Sequence, residues 1–201
     1  MGSSPDGKPK AGLRERKKAR TRAEIQRQAL RLFRERGYEA TTVAQIAEAS
    51  EVSESTFFRY FPTKEDVVLW DEFDPLIFEA FQAQPPELGA IGALRNAIRD
   101  VMARASAAEG AELRERLELL LSVPPLRATL VDRIGGPMRL LAEAVAKRAG
   151  RRPDEPAVRA VAGAVMGVGL SAMFAAAGNP KADLLSLLDE GLAHLEDGLP
   201  L

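Results

Sequence analysis

The chain has 201 residues, of which 46% are hydrophobic and 28% are charged, and its formal net charge is −1. It contains no cysteine, which excludes a disulfide framework, a thiolate metal site and a cysteine nucleophile. With His194 as its single histidine as well, the chain offers little basis for an enzyme. The polar start of the chain does not resemble a signal peptide, so we expect a cytoplasmic protein, and no motif predicts a cofactor.

Positive charge is concentrated at the N-terminal end. Between Lys8 and Arg36, twelve basic residues stand against three acidic ones, which gives this segment a net charge of +9 in a nearly neutral protein. Such segregation is typical of a surface that binds a polyanion. Residues 1–13 are polar and contain Pro, Gly and Ser, so we expect a flexible basic arm. A helix follows, and its apolar stripe ends before Gly37.

Residues 41–64 predict two short helices joined by a tight turn. Thr42 is suited to cap the first helix, because Gln45 follows at the spacing of a capping box, and Ser53 is suited to cap the second. Phe57 and Phe61 lie four residues apart, so they share one helix face and can anchor the second helix to its neighbours. The opposite face carries hydrogen-bond donors, namely Ser55, Thr56, Arg59 and Tyr60. This pattern is typical of a helix-turn-helix, and Pro62 ends it.

The rest of the chain predicts helices only. Apolar spacing and proline pairs place them at residues 70–81, 94–102, 113–121, 126–149, 160–179 and 185–199. Gly135-Gly136-Pro137 interrupts one of these segments, so we expect a kink or a helix in two parts. The predicted fold is all-α with about nine helices: an N-terminal three-helix helix-turn-helix domain and a larger C-terminal helical domain.

The last two predicted helices suit close packing. Residues 160–179 carry no charge and contain Gly163 and Gly167, four residues apart. Their length also fits a membrane span, but they are mostly Ala and Gly, and no basic cluster follows, so we favour a helix buried by its neighbours and no contact with a membrane. Five leucines, spaced 3, 4, 3 and 4 residues apart, form a seam on the last helix: Leu185, Leu188, Leu192, Leu195 and Leu199. The two helices either pair with those of a second subunit in a four-helix bundle or close the core of their own chain.

Residues 14–70 resemble the DNA-binding domain of the tetracycline-repressor (TetR) family. The resemblance rests on the run from Ala29 to Asp66, which includes ALRLF, TTVAQIAEASEVS and TFFRYFPTKED with the family spacing intact. It implies a DNA-binding domain at residues 14–66 and a ligand-binding and dimerisation domain at 67–201. It also implies that the helix around residues 53–60 reads bases, and that Thr42 and Lys64 grip phosphates. The candidate DNA-binding residues are Arg14, Lys17, Lys18, Arg20, Thr41, Thr42, Ser53, Ser55, Thr56, Phe58, Arg59, Tyr60 and Lys64.

Phe58 departs from the family pattern, which usually places a phosphate-binding tyrosine at this position. Without a hydroxyl, Phe58 either contacts a thymine methyl group or belongs to the core. We expect Arg59, Tyr60 and the N-terminal arm to take over part of the phosphate contact. Arg59 is the first candidate to bind guanine, because its forked guanidinium matches O6 and N7.

The resemblance further implies a ligand-responsive repressor that binds an inverted-repeat (palindromic) operator in double-stranded DNA as a homodimer and is released by a small apolar or acyl-type effector. Arg95, Arg99 or Arg104 could meet an anionic head group, although exposed arginines are common on any surface. The alternative is an architectural or scaffolding DNA-binding protein without an inducer. Aromatic, methionine and leucine side chains are the candidates to line an effector cavity: Trp70, Phe73, Phe78, Phe81, Met102, Leu120, Met138, Leu141, Met166, Met173 and Phe174. The resemblance also favours Gly163, Gly167 and the first four leucines of the seam as the dimer interface.

Overall fold

The structure is a computed structural model that describes residues 12–71, 73–179 and 182–200. These residues form eleven helices and no strand. The helices are α1 (Leu13–Arg36), α2 (Val43–Ala49), α3 (Glu54–Tyr60), α4 (Lys64–Leu69), α5 (Phe73–Ala83), α6 (Ala90–Met102), α7 (Ala107–Ser122), α8 (Pro124–Asp132), α9 (Gly135–Ala149), α10 (Pro156–Gly178) and α11 (Leu184–Glu196). Apart from its last two residues, the predicted arm lies outside the described residues.

The chain divides into two compact units between Val68 and Leu69. In the N-terminal unit, a small core forms where α1, α2, α3 and α4 meet, and its central side chains are fully buried: Ile25, Ile46, Phe57, Phe61 and Val67. Gly37 ends α1 with a φ of +85°, a backbone conformation that side chains other than glycine rarely adopt. Both predicted caps are present, and they fix where α2 and α3 begin.

The C-terminal unit is a helical bundle with its core between α5, α6, α9 and α10. Phe81, Ala93, Ala97 and Ala162 are fully buried there. Two glycines permit close helix contacts. A Cβ atom on Gly92 of α6 would lie 2.3 Å from a Glu196 carboxylate oxygen, and one on Gly191 of α11 would lie 2.6 Å from Val168 Cγ1 of α10. These glycines bring α11 against both α6 and α10.

The predicted all-helical architecture is confirmed, and the segment at residues 126–149 is divided into two helices: the break lies at Arg133 and Ile134, and Gly135–Pro137 form the first turn of α9. The helix count is higher than the predicted nine among the residues described. Some helices are short: α4 has 6 residues and α8 has 9. Elements of this length contain too few turns for apolar periodicity to define them.

One expectation about α10 needs correction. The sequence favoured a helix that is buried on most sides by neighbours. In the structure, only 17% of its most apolar stretch is buried within the chain. By length and composition alone, the helix would also suit a membrane span. It packs on α7, α9 and α11. Arg159 is exposed near its start, and four further exposed positions follow helical spacing and carry no charge: Ala160, Gly167, Ser171 and Phe174. An uncharged stripe of α10 therefore remains uncovered in the single chain.

Candidate nucleic-acid interface

Helix α3 has an inner face that anchors it and an outer face that is open. Its N-cap is Ser53, whose Oγ accepts a hydrogen bond from the Thr56 backbone N–H at 3.1 Å. Phe57 and Phe61 are fully buried on the inner side. On the outer side Ser53, Ser55, Phe58 and Arg59 are exposed, and Thr56 and Tyr60 are half-buried. The predicted outward polar face therefore exists.

A complete capping box fixes the start of α2. The Gln45 N–H donates to Thr42 Oγ1 at 3.2 Å, and the Thr42 N–H donates to Gln45 Oε1 at 3.0 Å. In the following turn Glu51 adopts a φ of +54°, which is unusual for a residue other than glycine. The Val52 N–H then donates to the Ala47 carbonyl at 2.9 Å. This turn sets the start of α3, so the two helices form a helix-turn-helix.

A basic groove lies between the first turns of α1 and the end of α3, and its volume is about 560 Å³. Its lining residues are Arg14, Lys17, Lys18, Thr21, Arg59 and Tyr60. Four of the six are cations and none is a carboxylate, so the groove concentrates positive potential beside the outer face of α3. The structure thus brings Arg14, Lys17 and Lys18 together with Arg59 and Tyr60. Arg20 is exposed but does not line the groove.

Two candidate DNA-binding residues, Thr41 and Lys64, point their side chains toward the interior of the unit. Thr41 is 1% exposed, and its hydroxyl donates to the Gly37 carbonyl at 2.8 Å, so it fixes the loop before α2. Lys64 points its ammonium group inward, where Nζ donates to the carbonyls of Tyr38 at 2.9 Å and Thr41 at 3.1 Å. The same Nζ lies 4.0 Å from the centre of the Tyr38 ring. Both side chains therefore hold the frame of the interface rather than face outward.

Phe58 lies on the surface, with 48% of its area exposed, so the core alternative does not apply. Its ring meets the buried Phe57 ring edge-on, with centroids 5.5 Å apart, which limits the directions it can take. An exposed aromatic ring beside Arg59 is suited to apolar contact with a base.

The sequence predictions missed two positioning residues, Arg22 and Tyr38, and one groove-lining residue, Thr21. Arg22 donates to the Tyr60 carbonyl at 3.3 Å and lies over the Phe61 ring at 5.1 Å, so it links α1 to the end of α3. Tyr38 donates to a Glu65 carboxylate oxygen at 2.7 Å. Burial and the neighbouring Glu65 raise the pKa of Tyr38 well above its usual range. The periodicity of α1 could have identified Thr21, which continues the face of Arg14, Lys17 and Lys18.

Among the described residues of the C-terminal unit, two neighbouring grooves share Met102, Asp183 and Leu185. The α7/α10 groove, of about 270 Å³, lies between α7, the end of α10 and the start of α11. The α6/α11 groove, of about 430 Å³, lies between those two helices. Of the eleven predicted cavity residues, Met102 and Met173 line these grooves. The other nine do not.

The remaining candidates are distributed over the unit. Four are buried, namely Phe73, Phe81, Leu120 and Leu141, and Phe174 is 48% exposed. Phe78, Met138 and Met166 are partly buried and pack against the core, and Trp70 is half-buried. Most of these side chains therefore fill the interior instead of surrounding a common space.

Of the three arginines that were candidates for an anionic head group, Arg104 is exposed, and Arg95 and Arg99 are already paired. Arg95 donates to both Asp189 oxygens, at 3.1 and 3.2 Å, and to Glu196 at 2.7 Å, while Arg99 donates to Asp189 at 3.1 Å. The Arg95 and Arg99 guanidinium groups hold the pKa of Asp189 below its usual range, with the Arg95 hydrogen bond as the largest cause. This network joins α6 to α11 at the rim of the α6/α11 groove.

The predicted dimer residues belong to α10 and α11, and they differ in how far they are buried. Leu192 is 1% exposed and belongs to the interior of the chain. Leu185, Leu188 and Leu195 are half-buried, and the first two line the α6/α11 groove. Gly163 and Gly167 meet no atom within 4 Å of an added Cβ, so their small size is not required by contacts inside the chain.

Both units match known protein families. A profile described as bacterial regulatory proteins of the tetR family matches residues 25–69, and one described as the MftR C-terminal domain matches residues 88–200. The HTH-type transcriptional regulator TcmR of Streptomyces glaucescens is 38% identical over 76% of this chain and 70% of its own length. MftR of Mycobacterium tuberculosis, described as a candidate transcriptional regulator of mycofactocin biosynthesis, is 27% identical over 78% of this chain and 80% of its own.

A solved structure also resembles the whole chain. The TetR-family repressor FadR of Thermus thermophilus, in complex with lauroyl-CoA, is 29% identical and superposes with a TM-score of 0.55. The match covers 90% of this chain and 95% of FadR.

We predict that Lys64→Met destabilises the N-terminal unit, because the Tyr38 and Thr41 carbonyls lose a donor, at a cost of about 1–3 kcal/mol. Thermal unfolding followed by circular dichroism measures the change. Lys17→Met is the matched control, since this exposed lysine lines the basic groove and should leave the unfolding temperature unchanged. Equal unfolding temperatures for the two variants would contradict the placement of Lys64.

Proposed function

This chain belongs to the TetR family of bacterial transcriptional regulators, and we propose that it is a dimeric, effector-responsive repressor that binds an inverted-repeat operator. The observation that carries this proposal is the capped, anchored α3, whose outer face lies beside a groove lined by four cations. As a cytoplasmic regulator it requires no membrane and no cofactor.

Recognition of DNA divides between two sets of side chains. The cations of the α1 groove contact phosphates, which contribute affinity without sequence preference and weaken as salt rises. Ser55, Thr56 and Arg59 on α3 face base edges in the major groove, where the forked guanidinium of Arg59 matches guanine O6 and N7. Phe58 contacts a thymine methyl group, which replaces the hydroxyl contact that the family usually makes here.

A dimer supplies the second recognition helix. One seven-residue helix contacts few bases, whereas two copies related by a two-fold axis read half-sites about 34–36 Å apart, or a multiple of that distance. The uncharged stripe on α10 supports this assembly, because exposed apolar stripes of this length are uncommon on monomers. A partner copy, rather than lipid, covers the stripe, with Gly163 and Gly167 allowing close approach.

The effector binds in the C-terminal unit and is small and largely apolar. The α7/α10 groove supports this, since its lining includes Met102, Leu113, Leu117 and Met173. Lauroyl-CoA in the related FadR favours an acyl chain as the apolar part. The effector lowers operator affinity only by as much as it prefers the conformer that fits DNA poorly.

Selection of bound sites from random duplex DNA is expected to recover one inverted repeat. Arg59→Ala should then weaken binding to that site by about 1–3 kcal/mol per contact and relax preference at one position in each half-site. Arg59→Lys keeps the charge but loses the fork, so it should relax preference in the same way. Lys17→Gln should weaken all sequences alike and reduce the slope of log K against log[salt] by about 0.9 per lost contact.

Binding that spreads over many unrelated sequences and depends only on salt would instead identify an architectural DNA-binding protein and contradict the repressor.

Phe174→Glu is expected to dissociate the dimer, because it places a charge in the uncharged stripe of α10. Sedimentation equilibrium should show a monomer that retains its helical content but loses tight operator binding. Leu76→Glu on α5 is the matched control, since Leu76 is 50% exposed and Phe174 is 48% exposed. Dissociation by Leu76→Glu, or a stable Phe174→Glu dimer, would place the interface elsewhere.

Ala111→Phe is expected to fill the α7/α10 groove and weaken effector action at least about tenfold, while operator affinity without effector stays unchanged. Ala108→Phe is the control on the same helix, because Ala108 is exposed and does not line the groove. Operator release is measured with lauroyl-CoA, lauric acid and dodecanol, which separate the contributions of chain and head group. Release that is equal in both variants would contradict the assignment of this groove.

A further inference from the structure

Arg22 is a half-buried cation on α1, next in the chain to the groove-lining Thr21. Burial lowers the pKa of its guanidinium from the usual range, and the nearby Asp66 acts in the opposite direction. Removing a guanidinium from water costs free energy, and a hydrogen bond to a neutral carbonyl returns only part of that cost. An apolar side chain of similar length would therefore serve the fold as well, so the groups that the charge contacts are informative.

The guanidinium of Arg22 holds the C-terminal end of α3. Its Nη2 donates to the Tyr60 carbonyl at 3.3 Å, and its Cζ lies 5.1 Å from the centre of the Phe61 ring. Tyr60 is the last residue of α3, so its carbonyl has no partner within the helix. The negative end of the helix dipole lies at the same place and favours a cation there. Arg22 thus satisfies the open acceptor and also complements its charge.

This contact joins the two walls of the basic groove. Three cations line the groove from α1: Arg14, Lys17 and Lys18. Arg59 and Tyr60 line it from α3. The Arg59 guanidinium lies over the Tyr60 ring, 5.5 Å from its centre, so the place of Tyr60 affects the direction of Arg59. Close helix packing joins α1 to α2 and α2 to α3, so the spacing between α1 and α3 depends on side-chain contacts such as that of Arg22.

We propose that Arg22 is a positioning residue for DNA sequence discrimination. It holds the end of α3 at a fixed place relative to the cations of α1, so that Arg59 meets a base edge when those cations meet phosphates. The Arg22 guanidinium contacts protein and not DNA. The proposal rests on the proposed function in one respect, namely that α3 reads bases. Loss of Arg22 then relaxes sequence preference without removing a phosphate contact.

Arg22→Met tests this directly, because it keeps an apolar side chain of similar length and removes the contact with the Tyr60 carbonyl. Fluorescence anisotropy measures affinity for the duplex that the wild-type chain selects from random DNA and for a scrambled duplex of the same composition. The ratio of the two affinities is expected to fall by about tenfold or more. The slope of log K against log[salt] should stay at the wild-type value, since no phosphate contact is lost.

Arg22→Lys keeps a charge and a donor near the Tyr60 carbonyl but loses the planar guanidinium. We expect it to give an affinity ratio between those of Arg22→Met and wild type, with the wild-type salt slope. Because this variant retains the cation at the end of α3, the comparison does not depend on the stability of Arg22→Met.

Two controls on α1 separate position from charge and from stability. Arg31→Met removes one positive charge from an exposed pair with Glu35, whose closest distance is 3.0 Å, and it should leave the affinity ratio unchanged. Gln26→Met removes a buried hydrogen bond to the Val67 carbonyl of α4, at 2.8 Å. It should lower the unfolding temperature and leave the affinity ratio unchanged.

Hydrogen exchange of the free protein adds a measurement that needs no DNA. The Phe61 N–H donates to the Phe57 carbonyl at 2.9 Å in the last turn of α3. Arg22→Met should raise the exchange rate of this amide by about tenfold, because the turn loses its anchor. The Ser50 N–H, which donates to the Ile46 carbonyl at 3.0 Å at the end of α2, is the internal reference and should exchange as in wild type.

An affinity ratio that Arg22→Met leaves unchanged would overturn the proposal. An equal fall in Gln26→Met would also overturn it, because Arg22 would then act only through stability. So would equal weakening of both duplexes with a salt slope reduced by about 0.9, which would identify Arg22 as a phosphate contact.

Failure of the proposed function gives a different result. A wild-type chain that selects no sequence from random DNA would contradict the repressor and, with it, any role of Arg22 in discrimination. Faster exchange of the Phe61 amide in Arg22→Met would then retain only the anchoring of α3. A wild-type chain that selects one inverted repeat, with an Arg22→Met variant that discriminates equally well, would overturn the role of Arg22 and leave the repressor intact.

Discussion

The burial of Phe57 and Phe61 is the contact on which the DNA-binding surface depends. A helix of seven residues is not stable by itself, because the cost of nucleation exceeds what so few hydrogen bonds return. Full burial of each phenylalanine contributes about 1.5–3 kcal/mol, so α3 exists because one of its faces is packed on the N-terminal core. The outward direction of Arg59 follows from that packing, since the two faces are opposite sides of the same two turns.

Features set by neighbours in sequence could be predicted, and features set by distant contacts could not. The caps at Thr42 and Ser53 and the break just before Gly135–Pro137 involve residues no more than four positions apart, so spacing identified them. The inward direction of the Lys64 side chain could not be predicted because its partners, the carbonyls of Tyr38 and Thr41, lie 26 and 23 residues earlier in the chain. The exposure of Phe58 also depends on tertiary packing, because its neighbour Phe57 occupies the core position.

The C-terminal unit also has features that sequence periodicity could not predict. Aromatic and methionine side chains at helical spacing look alike whether they fill a core or surround a cavity, so periodicity could not separate Phe81, which is buried, from Met173, which lines a groove. The apolar character of α10 was visible in sequence, but its burial was not, because the chain alone does not cover it. A second copy of the chain can cover this face of α10, and contacts between copies leave no pattern within one sequence that would predict them.

The arginines explain how a nearly neutral protein can present a positive surface. In the C-terminal unit, Arg95 and Arg116 are engaged by Asp189, Glu196 and Asp71. Opposite charges within hydrogen-bonding distance largely cancel each other's electrostatic potential at distances beyond a Debye length. These pairs therefore contribute little to the potential around the protein. The groove between α1 and α3 contains no such partner among its six lining residues, so its four cations act together. The net charge does not show this difference, because it counts a paired arginine and a groove-lining arginine equally. An arginine with a carboxylate partner stabilises contacts within the fold, whereas one without a carboxylate nearby is available to bind a phosphate.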